Sequence, residues 1–141
     1  MGLDPVSAKA VNLTPGDKPE DIYSEVLALV MKTMRLSDEE KEQQWLKHLT
    51  RKVVKRGVMT YPYGVTPYGM VTAIVDDGFC DKMEGNHYSN AHVLMKHIWA
   101  ALPEVVRSAV DIMDWFQICS HTLAKENKPT IWDTPSGFQV V

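Results

Sequence analysis

Four residues spaced four apart, Arg51, Lys55, Met59 and Tyr63, have the types and spacing that best suit chemistry in this sequence. On an α-helix each step of four residues advances about 40° around the axis, so the four span roughly 120° of one face. We call these four residues the stripe. It suits a nucleoside triphosphate, with the phosphates over Arg51 and Lys55 and the sugar and base near Tyr63, because a helix N-terminus also attracts anions.

A run of positive charge surrounds the stripe, although the 141-residue chain has a formal net charge of −3. Residues 47–56 contain five cations and no acid: Lys47, Arg51, Lys52, Lys55 and Arg56. A solvated basic helix face is the ordinary explanation for such a run. Nearby tyrosines favour a nucleotide or nucleic-acid partner, because bases stack on aromatic rings interleaved with cations. Core packing is the alternative for these rings, which are Tyr61, Tyr63 and Tyr68.

End signals predict that the stripe lies on a helix with a sharp stop. Thr50 can cap this helix, and Pro62 disrupts it near its end because proline lacks the N–H group and crowds the preceding turn. Gly64 fits a C-terminal stop, and it also lacks a side chain where a template base must approach closely. Thr66 and Pro67 then predict the N-cap and first position of a further helix that lasts to about residue 77.

The remaining segments predict further helices, so the fold class is mainly α with a short β-hairpin near the C-terminus. Before the stripe we expect an extended lead-in over residues 1–17, a helix that starts within residues 17–21, and a second helix that starts at a capping box over residues 37–40. After it we expect a loop over residues 78–88 and a helix over residues 89–102, capped by Ser89.

The C-terminal third of the sequence predicts one more helix and the hairpin. Pro103 and Glu104 favour a new helix start, and Asn127, Lys128 and Pro129 favour its stop. Its expected inward residues are Val106, Ala109, Met113, Phe116, Ile118, Cys119 and Leu123. Residues 130–141 alternate around turn-forming residues 134–137, which favours a β-hairpin.

Composition excludes several classes of protein. The chain is 45% hydrophobic and 23% charged, as globular domains are, and its net charge argues against a wholly basic nucleic-acid binder. Two distant cysteines, Cys80 and Cys119, predict reduced thiols with at least one buried. No apolar run approaches the about 20 residues of a membrane span, and no signal-peptide pattern is present, so we expect a cytoplasmic protein with no membrane partner.

The acidic and histidine residues do not predict a metal site. Asp76 and Asp77 are adjacent at an expected helix end, where carboxylates are usually solvated. His87, His92 and His97 are spaced five apart, whereas metal ligands on one helix are spaced three or four apart. We therefore expect no metal ligands in this chain.

The pattern Arg51-x3-Lys55-x3-Met59-x3-Tyr63-Gly64 resembles motif B, the O-helix in the fingers subdomain of single-subunit, bacteriophage-type DNA-directed RNA polymerases. Family A DNA polymerases share a similar helix. Other segments also resemble the RNA polymerase family, in the family's order and over nearly the whole chain: residues 9–23, 97–106, 111–116 and 134–138. These flanking matches favour the RNA enzyme, and residues 1–141 then form a single partial domain.

The resemblance implies roles for the matching positions. Arg51 and Lys55 would contact the incoming triphosphate, and Lys55 would be the general acid that protonates the leaving pyrophosphate. Met59 belongs to the same substrate-binding set. Tyr63 would sense the ribose 2′-hydroxyl, and Gly64 would let the template base pass.

The resemblance also implies nucleic-acid contacts and several partners. Arg56 matches a further basic position on the motif B helix, and Tyr68 matches an aromatic beside the downstream template. The implied partners are ribonucleoside triphosphates, the DNA template, the RNA product, and the palm, thumb and N-terminal segments of the enzyme. A phage-encoded member would work in the host cytoplasm.

The family transfers nucleotides with two Mg²⁺ ions held by two palm aspartates. Neither aspartate motif is present in this sequence, so the resemblance implies Mg²⁺ in the complete enzyme, no ligands for it here, and no activity of this chain alone. Two alternatives stay open: a free-standing nucleotide- or nucleic-acid-binding module, and a fragment of the fingers of a family A DNA polymerase.

Overall fold

Helices make up most of the chain in a computed structural model that describes residues 5–17 and 19–141. The helices are α1 Pro5–Ala10, α2 Ile22–Met34, α3 Glu40–His48, α4 Arg51–Thr60, a 3₁₀ turn Tyr61–Tyr63, α5 Pro67–Asp76, α6 His87–Val105 and α7 Arg107–Lys125. The strands are β1 Trp132–Asp133 and β2 Gln139–Val140. The prediction of a mainly α fold with a short C-terminal hairpin is confirmed. Residues 1–110 and 111–141 form two compact units.

Helix α6 is the centre of the first unit, where it packs against α2, α3, α4 and α5. Its buried face repeats every three or four residues, as expected for a helix that contributes one apolar face to a core. That face includes Ala91, Leu94, Ile98 and Leu102, and α2 adds Val26, Val30 and Met34. Each such Leu, Ile, Val or Met side chain stabilises the fold by roughly 1.5–3 kcal/mol.

Helix α3 is attached to α6 through a buried indole. Trp45 is fully buried, and its Nε1 donates a hydrogen bond of 2.8 Å to the carbonyl oxygen of Asn90. The Asn90 side chain is also fully buried, and its Nδ2 donates to the carbonyl oxygen of Glu84 at 2.9 Å. Both bonds satisfy polar groups that would otherwise be costly to bury, and the Trp45–Asn90 bond attaches α3 to α6.

A second polar contact joins α2, α3 and α6. His97 Nε2 lies 2.6 Å from Glu42 Oε1, and His97 Nδ1 lies 2.8 Å from the Thr33 hydroxyl. The Ser37 hydroxyl and the His97 ring lower the pKa of the Glu42 carboxyl below its ordinary value, against the opposing effect of burial. Thr33 is exposed, and its hydroxyl takes part in this contact.

The predictions for the first helices need correction. Residues 5–10 are helical rather than extended, with Pro5 at the first helical position, where proline is favourable; residues 1–4 lie outside the described residues. Helix α2 begins later than residues 17–21 predict, after its N-cap Asp21, and Lys18 is not described. The predicted capping box does not form: α3 begins at Glu40, and the Ser37 hydroxyl accepts from the Glu39 N–H at 3.2 Å.

The boundaries of α6 also differ from the prediction. Its N-cap is Asn86 rather than Ser89, and the Asn86 side-chain oxygen accepts a hydrogen bond of 3.0 Å from the Ser89 N–H. Pro103 does not start a new helix, because α6 continues through it to Val105. The helix breaks at Val106, whose backbone angles of φ −125° and ψ 44° are not helical.

The second unit contains most of α7 and the hairpin. In the hairpin Trp132 pairs with Val140 and Asp133 with Gln139, and Gly137 has the positive φ of 80° that the turn requires. The residues predicted to face mostly inward on this last helix do so in part: Ala109, Met113, Cys119 and Leu123 are partly buried. Val106 is buried, but Phe116 and Ile118 are more than half exposed, and Phe116 instead packs edge-to-face on Trp115 with ring centroids 5.1 Å apart.

Both cysteines are free thiols, as predicted, and Cys80 is buried whereas Cys119 is partly exposed. Burial raises the pKa of the Cys80 thiol to about 11, with a smaller contribution from the neighbouring Asp81 carboxylate. The Cys80 side chain therefore acts as a small apolar group in the core.

Candidate nucleotide-binding site

Helix α4 has one buried face and one cationic face. Val53, Val54 and Val58 are buried, whereas Arg51, Lys55 and Met59 are exposed. Because the valine face packs against α2 and α6, the helix can present the cations only outward. The sequence spacing correctly predicted that Arg51, Lys55 and Met59 share one face of the helix.

Gly57 lets α4 approach its neighbours closely, a role that the sequence analysis missed. A Cβ atom at this position would lie 3.2 Å from Ile98 Cγ2 and 3.2 Å from both Met70 Cε and Met70 Sδ. These distances are tighter than ordinary van der Waals contacts, so a larger residue would push α4 outward. The signal for this role was an isolated glycine inside a helical pattern.

At the N-terminal end of the stripe, Arg51 is already bound to a carboxylate. Its Nε donates to Asp21 Oδ2 at 2.5 Å, and its Nη2 donates to Asp21 Oδ1 at 3.0 Å. Asp21 also caps α2, since it accepts from the Tyr23 N–H at 3.2 Å and from the Ser24 hydroxyl at 2.6 Å. The Arg51 and Ser24 hydrogen bonds hold the pKa of Asp21 well below its usual range, and Asp21 raises the pKa of Arg51.

Tyr23 lies beside both cations of the stripe. Its ring centroid is 4.7 Å from Arg51 Cζ and 5.7 Å from Lys55 Nζ, which is within the range of cation–π attraction. Across residues 5–17 and 19–141, no carboxylate lies within 4.0 Å of Lys55 Nζ. Lys55 is therefore oriented by a ring but is not neutralised by an acid. No local sequence pattern predicts a role for Asp21 or Tyr23 at the stripe.

At the C-terminal end, the α-helix changes to a 3₁₀ turn at Tyr61–Tyr63, which includes Pro62. Gly64 stops the helix with φ 77°; its N–H donates to the Tyr61 carbonyl at 3.0 Å, and the Val65 N–H donates to the Thr60 carbonyl at 3.4 Å. These two bonds form a Schellman motif, which requires the left-handed conformation. The predicted stop at Pro62 and Gly64 is confirmed, but Tyr63 lies in the 3₁₀ turn rather than on the α-helix.

The three tyrosines near the stripe have different environments. Tyr61 is buried and packs edge-to-face on Trp99, with ring centroids 5.0 Å apart, so core packing explains this ring. Tyr63 is 90% exposed and Tyr68 is 76% exposed. Such exposure is unusual for tyrosine and leaves both rings free to stack on a ligand.

Arg56 lies on the exposed face of α4 and forms an ion pair with Asp77, which caps the C-terminus of α5. The start of α5 is as predicted, because the Thr66 hydroxyl accepts from the Gly69 N–H at 3.0 Å and Pro67 follows. Both arginines of α4 thus have a carboxylate partner from another part of the chain, at Asp21 and Asp77.

Two negative findings apply to the residues that the structure describes. No group of three or more His, Cys, Asp or Glu side chains among them is arranged to hold a metal ion. No helix among them is long and apolar enough to cross a membrane.

A sequence model of the DNA-dependent RNA polymerase family matches residues 1–141, the whole chain. The chain belongs to this family. Among its relatives are the mitochondrial DNA-directed RNA polymerase 1 of Arabidopsis thaliana, 33% identical over 154 residues, and the chloroplastic/mitochondrial DNA-directed RNA polymerase 2 of the same plant, 36% identical over 155 residues. A third is DNA-directed RNA polymerase 2A of Nicotiana tabacum, 33% identical over 160 residues.

Each of these matches covers 100% of the chain but 16%, 15% and 46% of the respective relative. The chain therefore spans less than half the length of each of these relatives, which belong to a family of nucleotidyltransferases. The resemblance to the phage-type RNA polymerases is confirmed. The two Arabidopsis relatives are named as organellar enzymes, and the cytoplasmic location of this chain stays a prediction.

Proposed function

We propose that α4 and the 3₁₀ turn bind the incoming ribonucleoside triphosphate and the template in the fingers of a DNA-directed RNA polymerase. The observation that carries this proposal is that Arg51 and Lys55 are exposed on α4, whose valines are buried, and that the exposed Tyr63 lies in the 3₁₀ turn that follows the helix. Family membership supports it, since the stripe carries the spacing of motif B.

The phosphate end of the stripe would act through charge and proton transfer. Arg51 offers a planar set of N–H donors to phosphate oxygens, and Lys55 offers a compact charge. The 3′-oxygen of the RNA would form a bond to the α-phosphorus while the bond from that phosphorus to its bridging oxygen breaks, and the bridging oxygen would leave as part of pyrophosphate. Lys55 Nζ would donate its proton to this leaving group.

The sugar end would act through selection and stacking. The Tyr63 hydroxyl would sense the ribose 2′-hydroxyl, with Met59 between it and the cations, and Gly64 would leave room for the template base. Tyr68 would contact the template beside the site. Arg56 would contact nucleic acid, with Asp77 as its partner when none is bound.

Mg²⁺ would stabilise the phosphate charge in the complete enzyme, and the palm would hold it. The described residues do not fit this metal, because they offer no cluster of ligands for it. Their contribution is to hold the triphosphate, orient the sugar and supply a proton. This chain alone is therefore predicted not to synthesise RNA.

A titration of the chain with ATP at low ionic strength, followed by NMR, tests the proposal. We expect weak binding with shifts on α4, and we expect Lys55→Ala to weaken it. Lys96→Ala is the matched control, because it removes the same charge from an exposed position on α6. If the two variants bind ATP equally well, the stripe is not the triphosphate site.

The same titration can be repeated with palm-bearing segments of the polymerase present. Tighter binding in their presence would support a role as part of the enzyme. Unchanged binding would favour the free-standing nucleotide-binding module instead. Template-directed RNA synthesis by this chain alone would contradict its predicted dependence on the palm.

A further inference from the structure

Asp21 occupies the position on Arg51 where a phosphate is expected. Its two carboxylate oxygens accept from Nε and Nη2 of the guanidinium, the same parallel pair of bonds that arginine forms with a phosphate. An anion that arrives at the stripe therefore meets an arginine whose charge is already neutralised.

Asp21 is held in place independently of Arg51. The Tyr23 N–H and the Ser24 hydroxyl both bond to its carboxylate, because Asp21 is the N-cap of α2. It therefore cannot follow Arg51 toward a ligand. A phosphate must draw Arg51 away from Asp21 or share the guanidinium with it at close range, and in both cases the Asp21 charge opposes binding.

We propose that Asp21 is a competing anion that restrains Arg51, and that the triphosphate binds fully only when Arg51 exchanges Asp21 for phosphate. This proposal rests on the proposed function, because it assumes that the stripe binds triphosphate. The Arg51–Asp21 ion pair joins the N-terminus of α2 to α4. According to the proposal, binding of the triphosphate weakens this contact.

The two cations of the stripe then act in order. Lys55 has no carboxylate within 4.0 Å among the described residues, so it can attract the phosphates first. Arg51 joins after it leaves Asp21. The free-energy cost of breaking the Arg51–Asp21 pair is small, because ion pairs exposed to solvent are weak. The pair can therefore reduce the affinity for phosphate without preventing binding.

Asp21→Asn removes the competing charge but keeps a side-chain oxygen that can cap α2. Glu126→Gln is the matched control, because it removes the carboxylate of an exposed ion pair, with Lys128, that includes no residue of the proposed binding site. Asp21→Ser is a second neutral capping variant, to be used if the asparagine variant folds poorly. Circular dichroism checks the fold of each variant.

The probe is inorganic tripolyphosphate, titrated into the full 141-residue chain at low ionic strength by NMR and calorimetry. We expect Asp21→Asn to bind it about two- to fivefold more tightly than the wild-type chain. Glu126→Gln should bind it with nearly wild-type affinity. Arg51→Ala should bind it more weakly, and adding Asp21→Asn to Arg51→Ala should give much less gain than Asp21→Asn gives alone.

Each other outcome has a distinct meaning. If Arg51→Ala weakens binding but Asp21→Asn leaves it unchanged or weaker, Asp21 does not compete, while the triphosphate site stands. An equal gain from Glu126→Gln, or an undiminished gain in the Arg51→Ala background, would show that Asp21→Asn acts only through the net charge of the chain, and would overturn the proposal. If no variant binds tripolyphosphate, both the proposal and the proposed triphosphate site fail.

Discussion

Two substitutions at Gly64 can show whether glycine is required there for its left-handed backbone conformation or for its small size. Gly64 has φ 77°, and its N–H closes the Schellman motif at the end of the 3₁₀ turn. The left-handed conformation costs an ordinary L-residue about 1–2 kcal/mol, whereas asparagine tolerates it better than alanine. We therefore expect Gly64→Ala to destabilise the fold by about 1–2 kcal/mol and Gly64→Asn by less than about 1 kcal/mol.

Thermal unfolding measures this difference. Unfolding entropy is about 2.1 cal/mol/K per residue, so 1 kcal/mol corresponds to a Tm change of about 3–4 °C for a unit of this size. Gly64→Ala should then lower Tm by about 3–8 °C and Gly64→Asn by less than about 4 °C. A Gly64→Ala chain as stable as the wild type, or a Gly64→Asn chain less stable than Gly64→Ala, would contradict the backbone explanation.

The same pair of variants tests the predicted passage of the template base in a reconstituted polymerase. Asparagine is larger than alanine, so close approach of the template should make Gly64→Asn the less active variant, the reverse of the stability order. If Gly64→Ala is instead the less active variant, as it is expected to be the less stable one, the backbone conformation of Gly64 is sufficient to explain why glycine is required there.

Two further predictions concern the core. Gly57→Leu should destabilise the fold by about 1–3 kcal/mol, because Ile98 and Met70 lie too close to this position for a leucine side chain. Urea unfolding measures the change, and unchanged stability would contradict the close approach of these residues to Gly57. Glu42→Gln should cost about 1–3 kcal/mol near neutral pH. The pKa of Glu42 is lowered in the folded chain, so the stability of the wild-type chain relative to Glu42→Gln should be lost as pH falls through that pKa. If the wild-type and Glu42→Gln chains have the same dependence of stability on pH, this stabilising role of the Glu42 charge is contradicted.

Local patterns predicted the parts of the site that depend on neighbouring residues. The two faces of α4 follow from helical periodicity, and the stops at Pro62 and Gly64 follow from the backbone chemistry of proline and glycine. The start of α5 at Thr66 and Pro67 was equally predictable, because a cap and the first helical position involve adjacent residues.

Contacts between distant residues could not be predicted in this way. Asp21 and Arg51 are 30 residues apart in the sequence, and Arg56 and Asp77 are 21 apart, so no local pattern pairs them. Tertiary packing also overrode a local rule at Pro103. Burial of Leu102 and Val105 on either side favours a continuous helix there, although proline usually marks a helix start.

Ribose selection by a reconstituted polymerase tests most directly whether this chain binds the incoming nucleotide. The chain would be combined with the palm, thumb and N-terminal segments, and incorporation of ribonucleotides would be compared with that of deoxyribonucleotides. We expect Tyr63→Phe to reduce the preference for ribonucleotides by about 2- to 12-fold while synthesis continues, because one hydrogen bond to the 2′-hydroxyl is lost. An unchanged preference would contradict the placement of Tyr63, and with it the assignment of this surface to the incoming ribonucleotide.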